Sequence, residues 1–138
     1  MSTLERFGVS MEEELLRRFD QRIEHQGYTS RSEALRDLVR RELVREEWND
    51  PNSEVIGTIT VAYEHHAHEL ANALVEIQHR YCACIVCSTH VHIDEHNCLE
   101  VIIVRGKSET VRMIADSLIS AKGVKHGQLA CTTTGRGF

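Results

Sequence analysis

The chain lacks the long apolar run that a membrane helix needs, since no stretch approaches about 18 residues. Its start also lacks the features of a secretory signal. A cytoplasmic protein without a membrane partner is therefore expected. Proline is nearly absent. The single Pro51 lies in Asn49-Asp50-Pro51-Asn52-Ser53, a run of turn formers that predicts a boundary between two domains, 1–50 and 51–138. Basic charge is not in surplus either. The formal net charge is −5, so no broad basic surface advertises nucleic acid. In a reducing compartment the five cysteines (Cys82, Cys84, Cys87, Cys98 and Cys131) read as thiols or ligands rather than disulfides. Histidine, by contrast, is abundant. Seven of the nine histidines fall between His65 and His96, which concentrates metal-type ligands in one stretch.

The centre of that stretch is His90-Val91-His92-Ile93-Asp94-Glu95-His96-Asn97-Cys98. Its flanks, 85–91 and 99–104, are rich in β-branched residues and read as two strands. Asp94 and Asn97 suit the turn between them. His90 and His92 are two residues apart, so on a strand they share a face at about 7 Å. Parity then places Cys98. An even loop would set it across from Ile93, on the wrong face. A five-residue loop, 93–97, sets Cys98 opposite His92 and Glu100 opposite His90. The odd loop is the expectation. It gathers two imidazoles, a thiolate and a carboxylate on one face, a donor set suited to Zn, Ni, Cu or Co. It also gathers Val91, Leu99, Val101 and Ile103 on the opposite face, which reads as the core side.

The rest of the second half alternates in type. Residues 56–63 predict a strand, 66–80 a helix, 108–120 a helix opened by Ser108, and 124–133 a last strand. With the hairpin the order is β-α-β-β-α-β, the ferredoxin-like split pattern, with helices on one sheet face. The other face, carrying His90, His92, Cys98 and Ile102, is expected to be solvated or to meet another subunit. Cys82-x-Cys84-x2-Cys87 resembles a soft-metal run. On a strand, however, Cys82 and Cys84 face one way and Cys87 the other, so buried, inert thiols are expected. His65, His66 and His68 read as a solvated helix start, and His96 as a loop residue.

In the first half, Phe7, Val9 and Met11 alternate with Arg6, Gly8 and Ser10, which predicts a short strand over 5–10. It has no partner strand nearby and needs another chain or a distant segment. A helix over 12–26 follows, stopped by Gly27. Ser30-Arg31-Ser32-Glu33 is a capping box that opens a second helix. Strand, helix, Gly turn and capped helix in this order resemble the ribbon-helix-helix DNA-binding fold. In that fold two chains pair their strands into a ribbon that enters the major groove. The resemblance assigns Arg6, Gly8 and Ser10 to DNA, and Phe7, Val9 and Met11 to the dimer core. Free amides near Ser30, Arg31 and Ser32 would hold a phosphate. Up to Asp50 there are nine Arg and twelve acidic residues, so positive potential must be local to Arg6 and Arg31. Gly8 departs from the small hydroxyl residues usual at that ribbon position, which removes one base contact.

Both halves together give an α+β chain: a ribbon-helix-helix followed by a ferredoxin-like, ACT-like βαββαβ domain. This combination resembles the nickel-responsive transcriptional regulators of the NikR family. The resemblance rests on Gly27-Tyr28-x-Ser30-Arg31-Ser32-Glu33, Tyr63-Glu64-His65, Gln78-His79, His90-Val91-His92, Cys98-Leu99-Glu100 and Gly123-Val124-x-His126-Gly127. It implies a cytoplasmic homotetramer that binds a palindromic double-stranded DNA operator, not an enzyme. It also implies one Ni(II) per chain, held in a plane by His90, His92 and Cys98 of one chain and His79 of a neighbour. A repressor of nickel uptake is the implied role. Tyr63 matches a family position near the metal. Glu100 is the candidate acceptor for a ligand imidazole. Glu33 and Asp37 match the carboxylates of a second cation site that joins the two domains in the family. Two other functions fit parts of the chain. One is a ribbon-helix-helix repressor sensing another metal or a small molecule through its ACT-like domain. The other is a metalloenzyme with an open Zn site and Glu100 as base.

Overall fold

A computed structural model describes residues 3–138. The chain divides into two compact units, one ending at Arg40 and the other running from Arg41 to Phe138. The division lies about ten residues before the turn cluster expected to separate the domains. Trp48, in the last turns of the second helix, belongs to the second unit. Trp48 is 3% exposed and packs in the core of the second unit.

In the first unit, α1 spans Glu13–His25 with Glu13 and Glu14 in its first turn, where the helix dipole favours acids. It ends in a Schellman arrangement. Gly27 adopts φ +82, the Tyr28 N–H donates to the Ile23 carbonyl at 3.0 Å, and the Gly27 N–H donates to the Glu24 carbonyl at 3.0 Å. Then α2 runs Arg31–Asn49. Ser30 Oγ accepts the Glu33 N–H at 3.2 Å, which satisfies one of the free donors at the helix start. The strand expected over 5–10 does not form, and residues 3–12 carry no regular structure. A ladder needs a partner, and this one chain supplies none to that segment. Phe7 is left 75% exposed and Val9 61%.

The second unit adds β1 (Glu54–Glu64), α3 (His68–Arg80), β2 (Ile85–His92), β3 (Asn97–Lys107), α4 (Ser108–Ile119) and β4 (Val124–Thr132). The sheet order is β2-β3-β1-β4, and its neighbours pair antiparallel. This is the expected βαββαβ topology. Leu70 and Leu74 of α3 and Val111, Ile114 and Leu118 of α4 join one core with Val55, Ile59, Val61 and Tyr63 of β1. From β3 the same core takes Cys98, Ile102 and Val104.

That last set corrects the expected faces. The helices cover the side bearing Cys98, Glu100, Ile102 and Val104, all 8% exposed or less. Leu99, Val101 and Ile103 lie on the other side and stay half-buried, while Val91 is exposed. Both sides of β3 are apolar at alternate positions, so strand periodicity alone does not choose between them. Ile102 and Val104 therefore mark the core and say nothing of a second subunit. Gly57 is set by the same packing. A Cβ there would lie 3.0 Å from the Trp48 ring and 3.2 Å from the Ala130 carbonyl oxygen. The Trp48 indole N–H donates to the Thr132 carbonyl at 2.8 Å, fixing the end of α2 to β4.

Candidate metal centre

The β2–β3 hairpin closes on Asp94. Its carboxylate accepts the backbone N–H groups of His96 at 2.8 Å and Asn97 at 2.7 Å, and the Asn97 amide as well. Hydrogen bonds from the Asn97 side chain and these two amides hold its carboxyl down at about 2. The Ile93 N–H donates to the Asn97 carbonyl at 2.9 Å. This closure sets the register that the odd loop required, with His92 opposite Cys98 and His90 opposite Glu100. Opposite residues of an antiparallel pair share a face, so the two imidazoles, the thiol and the carboxylate are on one side of the sheet.

Cys98 is fully buried, and its Sγ–H donates to the Tyr63 carbonyl at 3.4 Å. Burial pushes the thiol up, the Tyr63 contact pulls it down, and the Glu100 charge raises it again. Glu100 is bonded differently from expectation. It accepts the Tyr63 hydroxyl at 3.0 Å, the Gln78 amide at 2.9 Å and the Ser88 hydroxyl at 2.8 Å, not an imidazole. Burial first, then the Glu100 carboxylate, raise the Tyr63 phenol and keep it a donor. Glu100 thus ties β1, β2 and the end of α3 together. Gln78 directly precedes His79, the expected ligand on α3. His79 itself is exposed in the last turn of α3.

The structure adds a residue that sequence reasoning set aside. His65, His90 and His92 offer ligand nitrogens that all lie within 4.8 Å of one another. The His65 ring centre is 4.5 Å from that of His92 and 6.2 Å from that of His90, and the latter two are 5.2 Å apart. Cys98 and His79 stand outside this group. His65 does not begin a helix, because α3 starts at His68. Tyr63 pairs with Cys98, and period-2 alternation carries the same face on to His65. The signal was legible once β1 was placed beside β3. Desolvation, then the neighbouring imidazoles, hold His65 below the usual histidine value and favour its neutral form.

Other expected residues are placed as follows. Cys82 and Cys87 are exposed and Cys84 is half-buried, so the run is not a set of buried thiols. Residues 81–84 form a turn and not the strand that was assumed. His96 lies in the hairpin loop, as expected. In the first unit Arg6, Gly8, Ser10, Ser30 and Ser32 are exposed. Arg31 forms a two-pronged ion pair with Asp20, both bonds 2.8 Å. Glu33 accepts the Thr29 hydroxyl at 3.3 Å, and Asp37 accepts the Tyr28 hydroxyl at 2.7 Å and Arg40 at 2.9 Å.

The donor set fits a borderline transition metal. It offers two imidazoles beside a thiol that is buried and has only a weak carbonyl acceptor. Comparison with known proteins decides the family. The profile of the NikR C terminal nickel binding domain matches residues 56–132. The chain belongs to the NikR family. The profile of the ribbon-helix-helix proteins of the copG family matches residues 5–46. A protein of Thermococcus onnurineus named a nickel-responsive regulator is 56% identical over 131 residues, 95% of each chain. One of Pyrococcus furiosus with the same name matches equally, and one of Pelobacter propionicus is 52% identical over 94% of each chain. Among solved structures, the uncharacterized protein TM1266 of Thermotoga maritima superposes with TM-score 0.52 at 12% identity. It covers 58% of this chain and 99% of its own, a likeness of fold alone. NikR-family proteins combining these domains are transcriptional regulators, not enzymes. The chain carries a DNA-binding domain and a nickel-binding domain, and no described helix is long and apolar enough to cross a membrane.

Proposed function

We propose that this chain is a cytoplasmic, nickel-switched repressor of nickel uptake that binds a palindromic operator as a homotetramer. The observation that carries the reading is the hairpin register. His90, His92 and Cys98 share one face, and Glu100 links that face to the end of α3, where His79 stands. In this reading the ligands of one Ni(II) are His90, His92 and Cys98 of one chain and His79 of a neighbouring chain. Three nitrogens and a sulfur in a plane suit Ni(II), which when bound would join the hairpin of one chain to α3 of another. Tyr63 and Glu100 position the set without ligating. Glu33 and Asp37 are candidate ligands of a second cation.

Two copies of residues 5–10 would pair as the ribbon, with Arg6, Gly8 and Ser10 toward the bases and Phe7, Val9 and Met11 inward. Exposure of those three apolar side chains supports this. Amides near Ser30, Arg31 and Ser32 would take a phosphate. Ligand binding shifts the DNA-competent arrangement only by its differential affinity for the two states.

The test is a Ni(II) titration of the apo protein, read by absorption and by operator binding in the same samples. The expected result is a thiolate-to-nickel band saturating at one metal per chain, with DNA binding rising alongside it. A band unaffected by Cys98→Ala would overturn the site. A saturating band with DNA binding unchanged would overturn the switch. A protein that binds no stoichiometric nickel would favour the small-molecule sensor.

A further inference from the structure

The start of β4 is irregular. Where β1 takes one step, Ala62 to Tyr63, β4 takes two, His126 to Val124, so Lys125 is the extra residue of a β-bulge. Without the bulge Lys125 would stand opposite Tyr63, which is 3% exposed in the core. The bulge gives that place to Val124, which packs against the core, and leaves Lys125 exposed. The Lys125 ammonium reaches past β1 and donates to Asn97 Oδ1 at the start of β3, at 2.6 Å. We propose that Lys125 is a positioning residue for the nickel centre, holding the 93–97 loop in the register that sets Cys98 against His92. The inference rests on the nickel reading of that hairpin and adds to it a residue from outside the hairpin.

Asn97 is the joint through which Lys125 acts. Its side-chain nitrogen donates to both Asp94 carboxylate oxygens, at 3.1 and 3.0 Å. Its backbone N–H donates to Asp94 at 2.7 Å, and its carbonyl accepts the N–H groups of Ile93 at 2.9 Å and Asp94 at 3.3 Å. A side-chain amide has one donor end and one acceptor end. Asp94 takes the donor end, so the acceptor end needs a donor, and Lys125 supplies it. Each end thus has a charged partner, which makes each bond roughly twice as strong as a neutral one. With the amide held from both ends, the loop closes in one way, and Cys98 is the next residue. A slip of one residue would turn Cys98 to the face away from His92.

The sign of the effect separates positioning from charge. A lysine acting on a metal cation by charge alone repels it, so removing that lysine would tighten binding. A lysine acting through Asn97 has the opposite effect, because its removal loosens the loop and weakens binding.

The full-length protein provides the test in two parts. In the apo protein, exchange of the His96 and Asn97 amides, followed by NMR, should be severalfold faster in Lys125→Met than in wild type. Lys122→Met, which removes a nearby lysine, should leave it unchanged. Ni(II) affinity, read from the thiolate band against a competing chelator, should fall about threefold to tenfold in Lys125→Met, as expected for losing one hydrogen bond to a charged group. Lys125→Arg, which keeps a donor of similar reach, should restore most of it. Combined with Asn97→Ala, Lys125→Met should cost little more, since both break the same contact. Unchanged amide exchange, nickel affinity equal to or above wild type, or a full additional loss in the Asn97→Ala background would each overturn the proposal. Far-UV circular dichroism checks folding, and Lys125→Gln replaces Lys125→Met should the latter not fold. If the wild type itself gives no thiolate band, the nickel reading falls. The loop clamp is then decided by exchange in the apo protein alone.

Discussion

The two compact units bury their apolar residues in different ways. In the first, only Ile23 and Ala34 are buried among the described residues, while Phe7, Val9, Met11, Leu15, Leu38 and Val39 remain exposed. In the second, two helices close over a four-stranded sheet, and residues from Trp48 to Leu118 form one core. A sheet with helices on one side satisfies itself within a chain. An irregular N-terminal segment and two helices do not, because their apolar side chains have nothing in the same unit to meet. The contrast teaches that the apolar faces of the first unit find no cover within that unit, whereas the hairpin bearing the candidate ligands is built and covered within one chain.

The largest effect should come from charging the exposed segment before α1. Phe7→Asp is expected to abolish operator binding in a mobility-shift assay and to leave the nickel band intact. If DNA binding survives, the units are not organised as argued. Leu118→Ala, at a fully buried position, should cost about 2–5 kcal/mol in denaturant unfolding of the second unit. Gly127→Ala should cost about 1–3 kcal/mol. Its new Cβ would come within 2.6 Å of the Ile119 side chain. Glu100→Ala leaves the donors of Tyr63, Gln78 and Ser88 without their acceptor, a loss of about 1–3 kcal/mol. It should also weaken nickel affinity, because the end of α3 is then no longer anchored, and isothermal titration reads that directly. The smallest effect concerns acid. Asp94 titrates near 2 in the fold, below the unfolded carboxylate value of about 3.9. Its contribution is therefore full above about pH 4 and is lost as pH falls through about 2. Amide shifts of His96 and Asn97 followed by NMR should move only in that window.

Much of this was readable in the chain itself. Strand parity around Asp94 and Asn97 was enough to set Cys98 against His92, because side-chain alternation leaves one loop parity that gathers the ligands. The Gly27 turn and the Ser30 cap were readable because they are local chemistry, settled within a few residues. The split βαββαβ order followed from alternating periodicities.

Three matters were decided only by tertiary structure. The core side of β3 was one. Cys98, Ile102 and Val104 compete with Leu99, Val101 and Ile103 for the helices, and Glu100 is buried there only because Tyr63, Gln78 and Ser88 converge on it from three elements. The reach of the second unit back to Trp48 was another, since it depends on β4 offering the Thr132 carbonyl. The third was His65, which approaches His92 only because β1 pairs with β3 across more than thirty residues of chain. Local pattern determines what a segment is and which residues share its face. Which face is covered, and which distant side chain arrives there, follows from packing that no local pattern contains.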